Sequence, residues 1–312
     1  RKMETTKKKK KKKKSIADTM KITKAMYMIS SAKLQKAKKN LKDTEPFFYG
    51  LQDQISRILR HTTDFKHQYF GNREEDVKRG IKSIAYIVVS ADKGMAGAYN
   101  HNIFRKADEL ISQNPDKAKL YVVGELGRQY FTSHGYDITE EFRYTAQNPT
   151  MHRARVITEH FMDLFDNDEL DEIHIIYTQM INSLTSEVVN QQLLPLKKKD
   201  FTINLPPDAL TGTMQEEFHM VPSAKDIFES IVPNYVTGMI YGALIESYSS
   251  EQNARMQAMQ AATDSAEKMM HDLSIQYNRV RQGAITQEIT EVVGGARALE
   301  RNKEKAAKEE IV

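Results

Sequence analysis

Cysteine is absent from the 312-residue chain. Disulfide bonds, thiolate nucleophiles and cysteine-ligated metal ions are therefore excluded, and the absence suits a reducing cytosol. No apolar run approaches the roughly 20 residues that a membrane-spanning helix needs, and no signal peptide is recognisable. We therefore expect neither a direct membrane span nor a covalent cross-link.

Proline and glycine are scarce at both ends of the chain. No proline follows Pro233, and residues 15–60 contain one proline, Pro46, and one glycine, Gly50. Because proline and glycine are the residues that most often end a helix, their scarcity predicts helices much longer than the usual ~10–14 residues. A helix of that length is not buried within a compact domain, so it must pair with another long helix or be enclosed by a partner.

The spacing of apolar residues predicts coiled-coil stripes near each end. In the carboxy-terminal segment the predicted inward positions are Met259, Ala262, Ala266, Met269, Leu273, Tyr277, Val280 and Ala284. In the amino-terminal segment one stripe is predicted at Ile22, Met26, Ile29 and Ala32, and a second at Phe48, Leu51, Ile55, Ile58 and Leu59. Alanine is small and methionine is flexible. We therefore expect the two helices to approach each other closely and to pack together weakly.

The middle of the chain predicts an α/β domain. Apolar, β-branched runs of strand length lie at residues 84–90, 120–123 and 173–178, and helical patterns lie around 97–113, 125–133 and 150–165. Strands that alternate with helices indicate βαβ units and a largely parallel sheet. Residues 197–213 predict a loop before a last helix that Ser223 could cap.

These patterns predict three parts in the chain. They are an amino-terminal coiled-coil helix at residues 1–60, a central α/β domain at 80–205 and a carboxy-terminal coiled-coil helix at 213–307. The predicted fold class is mixed α+β and α/β, with a long two-helix coiled coil and a largely parallel central sheet.

Charge is distributed unevenly along the chain. Residues 1–42 carry 17 Lys and Arg against two acids, whereas the whole chain is only +4 at pH 7. Such a gradient favours an acidic partner around the basic end. The eight lysines at 7–14 disfavour a helix in isolation. They fit a solvated tail, a stretch foreign to the natural sequence, or a docking surface for an acidic partner. A nucleic-acid-binding coiled coil is the competing hypothesis, but no aromatic residue interleaves the run.

No group of residues assembles a catalytic centre. The sequence SADKGMAGAYN, at 90–100, follows a predicted strand, but Gly94 and Gly97 fit neither GxGxxG nor P-loop spacing. We interpret it, and GELGR at 124–128, as close-packed turns. The acidic cluster at 166–172 lacks the pattern of a calcium loop and is predicted to be a solvated turn. We expect no cofactor, no metal site and no catalysis by this chain alone, with a nucleotide-dependent enzyme as a further alternative.

The ends of the chain resemble the gamma subunit of rotary ATP synthases. Residues 15–37, SIADTMKITKAMYMISSAKLQKA, are similar to that family's first helix around its KITKAM motif. Residues 251–299 are similar to its carboxy-terminal signature, with EQNARMQAMQAATD followed by NRVRQGAITQEITEVVGGA. Since SADKGMAGAYNHNI resembles the family's S-D-[RK]-G-L turn, the likeness covers nearly the whole chain in order.

The resemblance implies a function. The terminal helices would form an antiparallel coiled coil, the central rotor shaft of a bacterial, proton-driven ATP synthase, and would pass torque between the membrane ring and the catalytic ring. The implied partners are three alpha and three beta subunits, the epsilon subunit and the membrane c-ring. The chain itself would be non-catalytic, would bind no nucleic acid and would lie peripherally at the cytoplasmic face of the cell membrane. Whether protons or sodium ions drive the rotor depends on residues of other subunits.

The resemblance also implies contact residues. Rotor–stator contacts are expected at Lys24, Met26, Arg255, Arg281, Gln282, Thr286 and Glu288. A foot near the membrane ring is expected at Phe218, His219 and Val221, where valine replaces an acidic residue that the family often has. Packing within the seam is the alternative for Met26, and a solvated helix face is the alternative for Thr286 and Glu288.

Overall fold

A computed structural model of the chain describes residues 2–62, 65–71, 80–81, 83–142, 145–201 and 220–309. The chain divides into two compact units, one formed by Arg1–Met28 with Met259–Val312 and the other by Ile29–Ala258. The first unit is called the helix pair below, and the second is called the α/β unit. Among the helices that the structure describes, none combines the length and apolar character that crossing a bilayer requires.

Two long helices dominate the secondary structure. The α-helices of the described residues are α1 (Lys2–His61), α2 (Tyr99–Gln113), α3 (Glu125–Ser133), α4 (Met151–Asp166) and α5 (Ala224–Glu309). With 60 and 86 residues, α1 and α5 confirm the predicted long terminal helices. The hydroxyl of Ser223 accepts a hydrogen bond from the Asp226 amide at 3.1 Å, which confirms the predicted cap of α5.

The strands form one five-stranded sheet in the α/β unit. They are β1 (Ile84–Val89), β2 (Ala118–Val123), β3 (Ile138–Phe142), β4 (Glu172–Met180) and β5 (Ser186–Leu194), in the order β3-β2-β1-β4-β5. The pairs β1–β2, β1–β4 and β2–β3 are parallel, and β5 runs antiparallel to β4. The largely parallel sheet is thereby confirmed. Strands β3 and β5 were not predicted, because polar residues interrupt their sequences, as suits strands at the two edges of the sheet.

Helices cover both faces of the sheet. All six residues of β1 are buried, which explains the continuous apolar run that marked it in the sequence. One hydrophobic layer joins the sheet to α1, α4 and α5 through residues such as Ile55, Phe161 and Phe228. The other layer joins it to α2 and α3 through Ile103 and Phe131. The burial of Ile55 also confirms the inward direction of the second stripe predicted on α1.

Candidate functional site

The middle of α5 is polar in a place where a helix packed on a sheet is normally apolar. Six consecutive or nearly consecutive polar side chains are at most 3% exposed: Ser247, Ser249, Ser250, Glu251, Gln252 and Asn253. We call residues 246–257 the polar segment. Because a buried polar group costs free energy unless it is hydrogen-bonded, the partners of these side chains indicate what the segment does.

Two serines of the polar segment reach the strands near their carboxyl ends. The hydroxyl of Ser250 donates to the carbonyl of Thr178 in β4 at 3.1 Å. The hydroxyl of Ser247 lies 2.6 Å from that of Tyr99, the first residue of α2. Both bonds lie near the carboxyl ends of the strands, which is where doubly wound folds usually bind their ligands. In this chain α5 packs there instead.

The amides of the polar segment hold the hairpin between β4 and β5. Asn253 Nδ2 and Gln257 Nε2 both donate to the carbonyl of Ser183, at 3.0 and 2.6 Å. About two turns before Asn253, the carboxylate of Glu246 accepts from the amide of Met180 at 3.3 Å. Burial raises the pKa of Glu246. These contacts fix the direction of α5 relative to β4 and β5 within the α/β unit.

A buried ion pair holds the turn that follows β1. Arg255 Nη2 lies 2.6 Å from Glu251 Oε1 and also donates to the carbonyls of Lys93 and Gly94, at 3.0 and 3.2 Å. Glu251 is 2% exposed and Arg255 8% exposed. Burial raises the pKa of Glu251, and the Arg255 charge opposes that rise. The pair therefore joins α5 to the glycine-containing turn by charge-assisted hydrogen bonds.

Ser90, directly after β1, packs closely against the turn at 124–128. The Ser90 hydroxyl donates to the Val123 carbonyl at 2.9 Å and accepts from the Gly127 amide at 3.0 Å. A Cβ atom on Gly124 would lie 2.3 Å from the Ser90 carbonyl oxygen, and one on Gly127 would lie 2.5 Å from its hydroxyl. The glycines at 124 and 127 thus let two strand-to-helix turns touch. Their packing confirms the interpretation of GELGR at 124–128 as a close-packed turn. In the sequence at 90–100 only Ser90 takes part in this packing, because a Cβ added to Gly94 or Gly97 would have no atom within 4 Å.

The acidic cluster at 166–172 is largely the solvated turn that the sequence predicts, since Asp166, Asp168 and Glu169 are exposed and Asp171 and Glu172 are half-buried. Asp166 accepts from the Tyr69 hydroxyl at 3.1 Å and from Gln68 Nε2 at 2.9 Å. Burial raises the pKa of Asp166, and burial beside this carboxylate raises that of Tyr69 to about 12. The cluster therefore ties residues 65–71 to α4. In the part of the chain that the structure describes, no group of three or more acidic or histidine side chains is arranged for a metal ion.

The helix pair is antiparallel. Among the described residues, hydrogen bonds between the two helices join Lys9 to Gln276, Thr23 to Thr263 and Lys24 to Glu267, at 2.9, 2.7 and 3.0 Å. Residue numbers rise along α1 while they fall along α5, which confirms the predicted direction of pairing. Of these contacts only the threonine pair is buried.

The seam between the two helices differs in detail from the prediction. Its buried and half-buried positions on α5 include Met259, Thr263, Ala266, Met270, Leu273, Tyr277, Val280 and Ala284. Thr263 and Met270 take the places predicted for Ala262 and Met269, which are exposed. A search for apolar residues misses Thr263, because threonine is polar. It can be buried in the seam because its hydroxyl forms a hydrogen bond with that of Thr23.

The first stripe predicted on α1 is also wrong. The residues of α1 that line the seam of the helix pair are Lys9, Lys13, Ile16, Met20, Thr23 and Tyr27, at alternating steps of four and three. Ile22, Ile29 and Ala32 are exposed. Polar residues therefore occupy several seam positions, while isoleucine faces outward.

The helix pair exposes a large amount of apolar surface. Its exposed apolar residues are Ile22, Met28, Met269, Ile275, Ile285, Ile289, Val292, Val293 and Leu299, with exposed fractions between 45% and 72%. Nine exposed apolar side chains in one unit are typical of a surface that another protein covers.

The residues expected to contact a stator lie in different environments. Lys24 is exposed and ion-paired with Glu267. Met26 is half-buried beside the seam residue Tyr27. Arg255 is buried, and its bonds described above lie within the chain.

The four other expected contact residues on α5 are exposed. They are Arg281, Gln282, Thr286 and Glu288. The Thr286 hydroxyl donates to the Gln282 carbonyl at 2.9 Å, and Arg281 and Glu288 form no ion pair with described residues. Val221, expected in the foot, is 81% exposed, whereas Phe218 and His219 lie outside the described residues.

The polar segment was not predicted apart from Arg255. Its signal in the sequence is SSEQN at 249–253, five successive polar residues in a helix flanked by apolar ones. An amphipathic surface helix normally has apolar residues on one face of every turn. A turn made only of polar residues is therefore either exposed to solvent or packed against specific polar groups. The sequence alone does not say which.

Comparison with known proteins identifies the family. The family model described as ATP synthase matches residues 5–299. An ATP synthase gamma chain of Ruminiclostridium cellulolyticum is 42% identical over 286 residues, which cover 92% of this chain and 96% of that protein. The "ATP synthase gamma chain, sodium ion specific" of Acetobacterium woodii is 35% identical over 295 residues, 91% of this chain and 95% of that protein.

A solved structure has the same fold. A chain of the Euglena gracilis mitochondrial ATP synthase, OSCP/F1/c-ring, in rotational state 3, aligns with a TM-score of 0.64 and 20% identity over 96% of each chain. The likeness of fold and the sequence relatives agree. This chain belongs to the ATP synthase gamma chain family.

Proposed function

We propose that this chain is the central rotor shaft of an ion-driven ATP synthase. In this role it transmits torque between a membrane ring and a catalytic ring of alpha and beta subunits. The observation that carries the proposal is the antiparallel helix pair with its exposed apolar residues, in a chain of the gamma family. Two paired helices without a surrounding domain core leave such surface in water unless a housing covers it.

The names of similar proteins support the proposed partners. The solved structures include the rotor of the Euglena gracilis enzyme and an assembly with F1 and a c-ring. We propose that the helix pair of this chain contacts alpha and beta subunits. We propose that other parts of the chain contact the epsilon subunit and the c-ring. It would then lie peripherally at the cytoplasmic face of the membrane. None of the relatives named above is named for nucleic-acid binding.

The asymmetry of the helix pair suggests how it acts on its partners. On α1 the exposed residues Ile22 and Lys24 are two positions apart, so an apolar and a charged side chain lie on different sides of the helix. Identical catalytic subunits around it would each meet a different face and therefore hold nucleotide with different affinity. Rotation would exchange the faces, so mechanical and chemical states are coupled through differential contact.

The described contacts favour different roles for the expected contact residues. Arg281, Gln282, Thr286 and Glu288 are exposed on α5 and are proposed to meet the stator directly. Lys24 and Met26 are proposed to do so from α1. Arg255 is proposed to act inside the chain, since its guanidinium binds Glu251 and the turn after β1. The parts at 1–60, 80–205 and 213–307 are retained as the proposed functional division.

A reconstitution tests the proposal. The full chain is mixed with alpha and beta subunits from the same source, and the purified complex is analysed by native mass and by ATP hydrolysis. We expect one copy of the chain in a complex that hydrolyses ATP. A stable monomer that hydrolyses ATP unaided, or a chain that ignores both subunits and binds duplex DNA with a steep salt dependence, would overturn it.

A further inference from the structure

A small cavity lies in the α/β unit, away from the polar contacts described above. Its volume is about 230 Å³. Three segments enclose it: α1 supplies Lys33, Lys36, Ala37 and Asn40, the loop before α4 supplies Gln147, Asn148 and Pro149, and α5 supplies Ile245 and Tyr248. At about 30 Å³ for each water molecule, the volume suits an anion of a few heavy atoms.

The lining is polar and carries positive charge. It contains two ammonium groups, three carboxamides and one phenol, with no carboxylate among the lining residues. Tyr248 is only 7% exposed, and burial raises its pKa, so its hydroxyl stays protonated at neutral pH and can donate. Lys33 and Lys36, three residues apart, lie on the same face of α1.

Among the residues that the structure describes, these six polar side chains form no hydrogen bond and no close ion pair, although the charge of Lys33 acts at longer range on Glu251. Asn40 and Gln147 use backbone atoms in the bonds they make, such as the bond from the Gln147 amide to Asp92 Oδ2 at 3.1 Å. Six residues with donor or donor–acceptor side chains therefore line one space, and Lys33, Lys36 and Asn148 are exposed at its mouth. Convergent polar groups in a concave site are typical of ligand binding.

The loop that forms one wall is held in place. Besides the bond that the Gln147 amide donates to Asp92, the Gln147 carbonyl accepts from the guanidinium of Arg153 at 3.1 Å. Thr150 caps α4 by accepting from the Arg153 amide at 3.3 Å. Asn148 has a backbone φ of +52°, a conformation that asparagine tolerates better than most residues. The cavity is thus built before any ligand arrives, and the positive end of α4 lies close by.

We propose that this cavity binds a phosphate-type oxyanion, inorganic phosphate or diphosphate. Lys33 and Lys36 supply the charge, and the carboxamides and the Tyr248 phenol supply directional donors. Ala37, Pro149 and Ile245 form an apolar wall that excludes a larger hydrated ligand. A bound oxyanion would bridge α1, α5 and the loop before α4, so it stabilises the α/β unit. This inference does not depend on the proposed rotor role.

The test measures diphosphate and phosphate binding to the full-length chain by calorimetry at constant ionic strength, with chloride as the reference ion. A double variant, Lys33→Gln with Lys36→Gln, removes both cavity lysines. Its matched control, Lys38→Gln with Lys39→Gln, removes the same charge from exposed positions of the same helix that do not line the cavity. We expect saturable binding in the natural chain, at least about tenfold weaker binding in the first variant, and a change within about twofold in the second.

Three outcomes would overturn the proposal. They are no saturable heat above chloride, equal weakening in both double variants, and binding that survives loss of Lys33 and Lys36. Asn40→Leu provides a second variant that keeps the net charge. It should weaken diphosphate binding without changing the circular dichroism spectrum, and unchanged binding in that variant also contradicts the site.

Discussion

Glu251 and Arg255 form a buried ion pair one helical turn apart on α5, with 2.6 Å between carboxylate and guanidinium. The guanidinium also binds two carbonyls of the turn after β1. A buried pair with these additional bonds fixes the angle at which α5 crosses the sheet edge. If α5 transmits torque, this pair is one of the contacts, together with those of Ser250 and Asn253, that keep the α/β unit from turning about that helix.

The pair has a consequence for stability against pH. Burial raises the pKa of Glu251 above its value in the unfolded chain. The folded chain therefore holds this proton more tightly, and ionising the carboxylate costs stability as the pH rises above about 4.5 through the folded pKa. The stability of the natural chain minus that of Glu251→Gln should fall as pH rises over this window.

Urea unfolding from pH 4.5 to 7.5 measures that difference. Glu267→Gln is the control, because it removes one carboxylate from an exposed position of the same helix. A difference between the natural chain and Glu251→Gln that grows with pH would contradict the raised pKa.

Loss of the cation should cost more than loss of a surface ion pair. Arg255→Ala leaves Glu251 buried without its partner and frees two carbonyls, so we expect a loss of about 3–5 kcal/mol in the free energy of unfolding. Arg57→Ala removes an exposed i,i+4 pair with Asp53 and should cost less than about 1 kcal/mol. Both are measured by urea unfolding, and equal losses would show that the buried pair has no special role.

The glycines of the packed turns should not tolerate a methyl group. Gly124→Ala places a Cβ against the Ser90 backbone at a φ of +99°, and Gly127→Ala places one against the Ser90 hydroxyl. Each should lower the free energy of unfolding by about 1–3 kcal/mol. Gly94→Ala, in the turn after β1, meets no atom within 4 Å and should change stability by less than about 0.5 kcal/mol. Thermal unfolding of the three variants compares them, and a neutral Gly124→Ala would refute the packing role.

Lysines at seam positions should weaken the helix pair. Lys9 and Lys13 are half-buried, whereas Lys10 and Lys14 are exposed. Replacing Lys9 and Lys13 by isoleucine adds apolar burial and removes charge repulsion, so hydrogen exchange in residues 7–28 should slow by about fivefold for each substitution. Lys10→Ile with Lys14→Ile removes the same charge without adding burial. If both double variants slow exchange equally, charge and not seam packing explains the effect.

Much of the fold could be predicted because its signals are local. The apolar run of β1 marks a strand covered on both sides, and the absence of proline after Pro233 marks α5. Family membership confirms the resemblance drawn from KITKAM and EQNARM, including the assignment as a non-catalytic subunit of ATP synthase. Strands β3 and β5 escaped prediction, since edge strands carry polar residues that break the apolar pattern.

The sites were less predictable because they depend on partners distant in sequence. Ile22 and Thr23 illustrate this: apolar spacing puts the isoleucine inside, but the structure buries the threonine against Thr263 and exposes the isoleucine. Glu251 is similar, because only the packed structure shows that Arg255 and the turn after β1 surround it. Sequence periodicity identifies the helix, and tertiary contacts decide which face is covered.

Rotation of the α/β unit inside the assembled complex tests the central proposal most directly. Because the chain has no cysteine, Ser112→Cys on the exposed side of α2 provides a single attachment point for a fluorescent rod or bead before assembly. With the alpha and beta subunits fixed to a surface, the rotor account predicts unidirectional rotation of the label while ATP is hydrolysed. Hydrolysis at a normal rate by complexes whose label stays still would contradict it.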